Sequence, residues 1–369
     1  MIDKDNIIIV GHGRYFAAEY LGLQNVPTLT IDIKEDEAKA YRLADNKLNE
    51  SDWDMELVVR ELKELSPENL DLTGFDKRLV LENNDKDDEV PETPKVAKSK
   101  VGEVYRLGHH RLVCGDSTSP ETYKQLMKEI KADMVFTDPP YNVDYSGRGE
   151  KTSKKIMNDK MSVPNFILFL KGTFKEIRDN VKAGGGLYIF HSSSSQIMFE
   201  EAMKDNGIEV KNQLIWNKPV ASMGWGNYRW KHEPFFYAGI KGSPLNFYGD
   251  RTHTTVLDFQ KTDAQLATWA KKQKQAEKDG KTTIWTMKRE PVQDYVHPTQ
   301  KPVELITYAL FNSSKVEDIV LDPFLGSGST IIACQKTNRI CYGIELDPLF
   351  VDVIIERWEN YTGNKAVKL

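Results

Sequence analysis

Cysteine is scarce in this chain of 369 residues: Cys114, Cys334 and Cys341 are the only three. An odd number, each set inside an apolar run, excludes a disulfide framework and a zinc-held fold. It fits reduced core thiols in a cytoplasmic protein. No apolar stretch approaches the roughly 20 residues of a membrane span, and no basic, apolar leader pattern precedes the first strand-like run. Neither glycine (24) nor proline (16) is abundant enough for a collagen-like or low-complexity chain, and 40% hydrophobic residues exclude wholesale disorder. No repeat is found. The length admits about two domains.

A basic excess is also missing, since the net charge is −5. The charge is unevenly spread: residues 1–100 carry 14 basic and 23 acidic side chains, whereas residues 211–301 carry 15 basic and 8 acidic. A local basic island in an acidic protein fits a local polyanion contact as well as it fits a solvated face.

Along the chain, residues 6–10 (NIIIV) read as a strand entering Gly11–Arg14 (GHGR), followed by a helix over 15–21 that ends at Gly22. Residues 28–33 alternate as a second strand, and 35–49 and 53–65 have helical periodicity. A small α+β domain over 1–82 is expected. Residues 83–100 (NNDKDDEVPETPKVAKSK) hold no aromatic and abundant charge, the composition of a linker. From 101 to 369 strand and helix alternate, the mark of a parallel sheet with crossover helices. Strands are expected at 111–114, 133–137, 187–191, 213–217, 234–238, 319–321 and 340–344, with helices at 121–130, 164–181, 195–205, 303–314, 328–337 and 348–361. The fold class is therefore α/β, a Rossmann-like, mixed and mostly parallel seven-stranded sheet, with an insertion at 245–296 that breaks the alternation.

Two motifs carry chemistry. The first, DPFLGSGST (Asp322–Thr330), lies between an apolar strand and a helix. Glycines there let the backbone approach a ligand at the helix start, where free N–H groups collect. Glu345 follows 19 residues after Gly326, at the end of the next strand, where such sheets hold ribose hydroxyls. The six-residue dinucleotide pattern fails at Ile331, and the phosphate-binding lysine of a P-loop is absent. A nucleoside without phosphate fits better; a tight turn beside a surface glutamate is the plainer alternative.

The second motif is Asp138-Pro139-Pro140-Tyr141, directly after the apolar run MVFT. Two prolines fix φ and remove N–H donors, so the chain leaves the sheet stiff and extended. Asp138 and the carbonyl of Pro139 can both accept from one NH₂ group while Tyr141 stacks on the ring that bears it. A capping corner is the plainer alternative here.

Taken in order, these motifs resemble the amino-methylating, S-adenosylmethionine-dependent DNA methyltransferases. VCGDS (113–117), DPPY (138–141), HPTQKP (297–302), DPFLGSGST (322–330) and GIELDP (343–348) correspond to that family's segments over residues 101–369. Acceptor motif first and glycine turn last resembles the permuted beta class. The resemblance implies S-adenosylmethionine as cofactor, held by Asp116, Ser117, Thr299, Lys301, Asp322, Pro323, Phe324, Gly326, Ser327, Gly328, Thr330 and Glu345. Thr299 and Lys301 are expected near the cofactor's carboxylate, although a lysine that caps the following helix is an equal reading.

Asp138, Pro139, Pro140 and Tyr141 would be the catalytic set. The aspartate is more usual for adenine N6 than for cytosine N4, so adenine N6 in double-stranded DNA is the expected target and cytosine N4 the alternative. No metal is expected, because His232 and His297 lack ligand spacing. DNA contacts are expected from Arg229, Lys231, Arg251, Lys271, Lys272, Lys288 and Arg289, interleaved with Trp225, Trp230, Tyr248, Trp269 and Trp285. The run at 263–279 reads equally as a solvated helix or dimer contact. Relatives that dimerise imply a homodimer and no membrane partner.

GHGRYFAA (11–18), VPTLTID and YRLADNKLNE resemble the ParB/sulfiredoxin-like domain of chromosome-partition proteins over about residues 6–65. That family's earlier segment has no counterpart here, so an N-terminally truncated structural module is expected rather than a working nucleotide site at Gly11, His12 and Arg14. A partition-type DNA-binding protein with an inert C-terminal domain is the rival reading. The pairing of modules is reminiscent of phage proteins and of restriction-modification systems.

Overall fold

Strand and helix positions in the computed structural model follow from where apolar residues recur and where glycine and proline interrupt them. The structure describes residues 1–48, 55–75, 80, 85–143, 159–218, 229–249, 254–255, 258–259, 285–287 and 300–369. It divides into two units, 1–82 and 83–369.

The first unit holds helices α1 (His12–Tyr20), α2 (Glu35–Leu48), α3 (Met55–Lys63) and α4 (Pro67–Leu72). Its core packs Ala40 against Val58, Leu62 and Leu65. Gly11 precedes α1 with φ 101°, a left-handed conformation that glycine adopts without strain, and His12 and Arg14 are exposed. The two expected strands are reduced to isolated bridges of Ile2 with Ile8 and Thr30.

The second unit is built on one sheet. Its strands are β1 (Val104–Leu107), β2 (His110–Cys114), β3 (Met134–Thr137), β4 (Leu187–Phe190), β5 (Ile208–Asn217), β6 (His232–Ile240), β7 (Asp258–Phe259), β8 (Trp285–Met287), β9 (Ile319–Asp322), β10 (Ile340–Glu345) and β11 (Val367–Lys368). Their order is β11-β1-β2-β10-β9-β3-β4-β6-β5-β8-β7. Among the described residues the sheet thus has eleven strands where seven were expected. Nine form a mixed sheet, and the short pair β7 and β8 continues it beyond β5. The additional strands β1 and β11 pair antiparallel at the edge, where a few residues suffice and no long apolar run announces them.

The five strands β2, β10, β9, β3 and β4 run parallel. Helices α5 (Pro120–Met127), α6 (Val163–Asn180) and α7 (Gln196–Asp205) share one buried cluster with Val135, Ile189 and Ile344. Helices α8 (Val303–Ser313), α9 (Ser329–Lys336) and α10 (Pro348–Thr362) share the other, with Phe136, Phe190 and Val320. The chain leaves β9 for β10 through α9 and leaves β3 for β4 through α6, in opposite directions along the sheet. Right-handed crossovers then put the two helices on opposite faces. In sheets of this kind ligands bind in the crevice outside the carboxyl ends where the order reverses, which here is between β9 and β3. No described helix is long and apolar enough to cross a membrane.

Residues 85–100 correct the expected linker. Asp87 pairs with Lys336 and accepts from the Tyr361 hydroxyl, while its carbonyl accepts from Arg357 at 2.9 Å. Asp88 accepts the Val303 N–H at 2.9 Å, and Asp352 takes the N–H and hydroxyl of Ser99. The charges that read as solvated in the sequence are used as anchors, so this segment is a strap on the second unit. Residues 245–249 of the expected insertion likewise rest on this unit, with Asn246 donating to Gly184 and Tyr248 to Asn312. The run at 263–279 lies outside the described residues.

Candidate active site

Both motifs stand at the carboxyl ends of neighbouring strands. Thr137, the last residue of β3, donates its hydroxyl to Asp322 Oδ1 at 3.1 Å, which ties the acceptor strand to the glycine-turn strand. The other Asp322 oxygen accepts the Thr330 hydroxyl at 2.6 Å, and Oδ1 also takes the Phe324 N–H at 3.0 Å. Burial raises this carboxyl to about 6. Asp322 and Thr330 therefore shape the turn from beneath.

The turn itself is left-handed at Gly326 (φ 54°) and at Gly328 (φ 84°), which starts α9. A Cβ on Gly328 would lie 3.1 Å from Ile354, so helix α10 approaches closely there. Arg357 of α10 reaches under the turn, donating to the Ser327 carbonyl at 2.9 Å and towards the hydroxyls of Ser327 and Ser329. The Ser327 hydroxyl is thus directed at Arg357, inside the protein. Pro323 is buried, and the Phe324 ring meets Phe169 edge-on with centroids 5.8 Å apart.

Glu345 ends β10 beside this turn. Its Oε2 accepts the Gly326 N–H at 2.8 Å and its Oε1 the Asp347 N–H at 2.9 Å. Burial pushes the carboxyl up to about 7. Gly115 donates its N–H to the Glu345 carbonyl at 3.0 Å, which brings the end of β2 alongside. Asp116 follows, exposed, with Oδ1 taking the N–H and hydroxyl of Thr118, and Ser117 is buried.

The acceptor corner is a cluster of charge. Asp138 Oδ1 accepts the Tyr141 hydroxyl at 2.5 Å, and Oδ2 accepts the Lys301 ammonium at 2.5 Å. Lys301 also meets Glu233 Oε2 at 3.2 Å, and Glu233 Oε1 accepts Lys218 at 3.0 Å. Both lysine side chains are 5% exposed. Burial and the adjacent Glu233 raise Asp138 against the pull of Lys301. Glu233, opposed by burial but held by two lysines, falls to about 2. Pro139 is buried, Pro140 and Tyr141 are half-buried, and Lys301 lies 4.8 Å from the Phe190 ring centroid.

Lys301 sits on the acceptor carboxylate, because two half-buried carboxylates converge there and a buried ammonium needs such partners. Glu233 and Lys218 were not among the expected site residues. β6 runs antiparallel to β4, so its first residues, not its last, reach this edge of the sheet. Arg229 and Lys231 are exposed beside Trp230. Thr299, Arg251, Lys271, Lys272, Lys288 and Arg289 lie outside the described residues.

The donor set discriminates between ligands. Around the glycine turn stand the carboxyls of Asp116, Glu345 and Asp347, with no lysine on the turn to meet a phosphate. Carboxylates at strand ends accept from hydroxyl and amino groups and favour a cationic centre. A nucleoside bearing positive charge fits this crevice, and a phosphorylated one meets like charge.

Comparison with known proteins identifies the family. The sequence profile of the N6/N4 family described as DNA methylase matches residues 132–356. The type II methyltransferase M.HinfI of Haemophilus influenzae is 25% identical over 243 residues, covering 63% of this chain and 64% of that protein. M.BglII of Bacillus subtilis is 24% identical over 243 residues, covering 60% and 62%. The chain thus matches less than two thirds of the length of these curated relatives. The solved M1.HpyAVI–SAM complex aligns at 21% identity with a TM-score of 0.46, covering 67% of this chain and 97% of that one.

Proposed function

The chain belongs to the N6/N4 DNA methylase family, and from that premise we propose that it transfers a methyl group to adenine N6 in duplex DNA. The observation that carries this reading is that Asp138 and Glu345 stand at the carboxyl ends of β3 and β10, the two parallel strands that flank β9, with β9 tied to β3 through Asp322 and Thr137. S-adenosylmethionine fits the carboxylate-lined turn, with Glu345 placed for ribose hydroxyls and Asp116 for the adenine. When bound there it supplies a methyl group activated by a positive sulfur.

The rest is done by the chain. Asp138 Oδ1 and the Pro139 carbonyl each accept one N–H of the target amine, drawing its nitrogen towards tetrahedral geometry and freeing the lone pair. At rest Oδ1 is occupied by the Tyr141 hydroxyl, so the tyrosine moves aside as the amine enters and its ring stacks on the base. Such stacking contributes roughly 1–3 kcal/mol per base, which offsets part of the cost of extruding the nucleotide. Once the new N–C bond has replaced the methyl–sulfur bond, whose electron pair leaves on the sulfur as a neutral thioether, the nitrogen would shed a proton to Asp138 Oδ1. A carboxyl raised by burial is suited to holding it briefly. Positioning in a water-poor crevice is the protein's main contribution to the rate.

The choice of adenine rests on the aspartate at the head of DPPY. Incubation with tritiated S-adenosylmethionine and duplex DNA, followed by digestion to nucleosides, tests it. The expected label is in N6-methyladenine, and Asp138→Ala lowers transfer at least about 100-fold. Label in N4-methylcytosine would correct the base, and label confined to RNA or protein would overturn the assignment.

A further inference from the structure

The amine that Asp138 is proposed to hold gains positive charge as it attacks, so a lysine bonded to the same carboxylate opposes the reaction. An isolated Asp138–Lys301 pair would also spend the negative charge that the amine needs. The structure does not leave that pair isolated. Lys301 divides its ammonium between Asp138 Oδ2 at 2.5 Å and Glu233 Oε2 at 3.2 Å. Glu233 is itself braced at Oε1 by Lys218, whose backbone N–H donates to the Lys231 carbonyl at 2.7 Å. Strand pairing of Phe190 with Phe235, two residues beyond Glu233, fixes its place beside the end of β4.

Resting on the proposed amine methylation, we infer that Glu233 is a positioning residue that acts through Lys301. It does so in two ways. By holding one side of the ammonium it keeps Lys301 on Oδ2, which reserves Oδ1 for the Tyr141 hydroxyl at rest and for the amine in the reaction. Its charge, shared between Lys218 and Lys301, offsets part of the lysine charge at the corner and so leaves the carboxylate of Asp138 more available to the nitrogen. Glu233 touches neither the amine nor the donor, and its role is one of charge.

Three variants test this, each measured for single-turnover methyl transfer to duplex DNA, for S-adenosylmethionine Kd by calorimetry and for Tm. Glu233→Gln keeps the shape and removes the charge, and it slows transfer about 100-fold while the Kd stays within about twofold. Glu233→Asp keeps the charge and stays within about fivefold of wild type. Adding Lys301→Met to Glu233→Gln removes the ammonium that opposes the amine and restores at least about tenfold of the lost rate. A Gln variant at the wild-type rate, an Asp variant as slow as the Gln variant, or a double variant no faster than the single one overturns the inference. So does a Kd that weakens in step with the rate, which places Glu233 in the donor site. A wild-type protein that labels no DNA overturns instead the methylation reading on which the inference stands.

Discussion

Glu345 shows how one residue can report on the donor site. Its carboxyl is held at about 7, mainly by burial, although two backbone N–H groups pull the other way. Ribose hydroxyls bond best to the ionised form, so protonation competes with the ligand. Calorimetry is expected to show S-adenosylmethionine binding strongest above pH 7 and weakening towards tenfold per pH unit as pH falls below it. In Glu345→Gln the dependence disappears and binding is weak throughout. The same shift has a stability consequence of opposite sense. Because the folded pKa exceeds the unfolded value of 4.5, the unfolded chain releases the proton first, and stability falls as pH rises from about 4.5 to 7. Asp138, Tyr141, Gly326 and Glu345 were legible in the sequence because motif and spacing name them. Glu233 was not, since a glutamate just before the expected strand 234–238 carries no signal until the strand's direction is known.

At the level of elements, the strap at 85–88 joins parts of the site that the sequence keeps far apart. Asp88 caps α8, which follows Lys301, and its carbonyl accepts the Gln300 side chain at 2.9 Å. Asp87 meets Lys336 of α9 and, through its carbonyl, Arg357 beneath the glycine turn. The Asp87–Lys336 pair is largely buried, with side chains 9% and 11% exposed. Asp87→Ala leaves Lys336 without this partner and is expected to cost about 3 kcal/mol in denaturant unfolding. A loss below about 0.5 kcal/mol would show the strap to be an ornament of the surface. Composition failed to find this element because charged residues read alike whether they are solvated or paired. The central strands were readable, since Met134–Thr137 and Leu187–Phe190 are buried throughout and leave unbroken apolar runs.

Across the whole molecule the division at residue 82 follows the composition, acidic before it and mildly basic around 211–301. An acidic protein that works on a polyanion needs its basic side chains gathered near the crevice. Arg229 and Lys231 are exposed beside the start of β6, on the edge that carries Glu233 and the acceptor corner. Replacing either by alanine is expected to weaken DNA binding alike for all sequences and to lower the slope of log K against log salt by about 1. Titration of duplex DNA at several salt concentrations measures this, and an unchanged slope would remove the residue from the interface. The α/β class and the order of the motifs were readable because both rest on local pattern. The edge strands and the charge cluster depend on pairings distant in sequence, which local pattern does not hold.

The account depends on one crevice serving both donor and acceptor. A crystal structure with S-adenosylhomocysteine tests it most directly. The predicted result has the ribose hydroxyls on Glu345, the adenine beside Asp116 and the sulfur facing Asp138. A nucleoside bound elsewhere, or a sulfur turned away from Asp138, would contradict it.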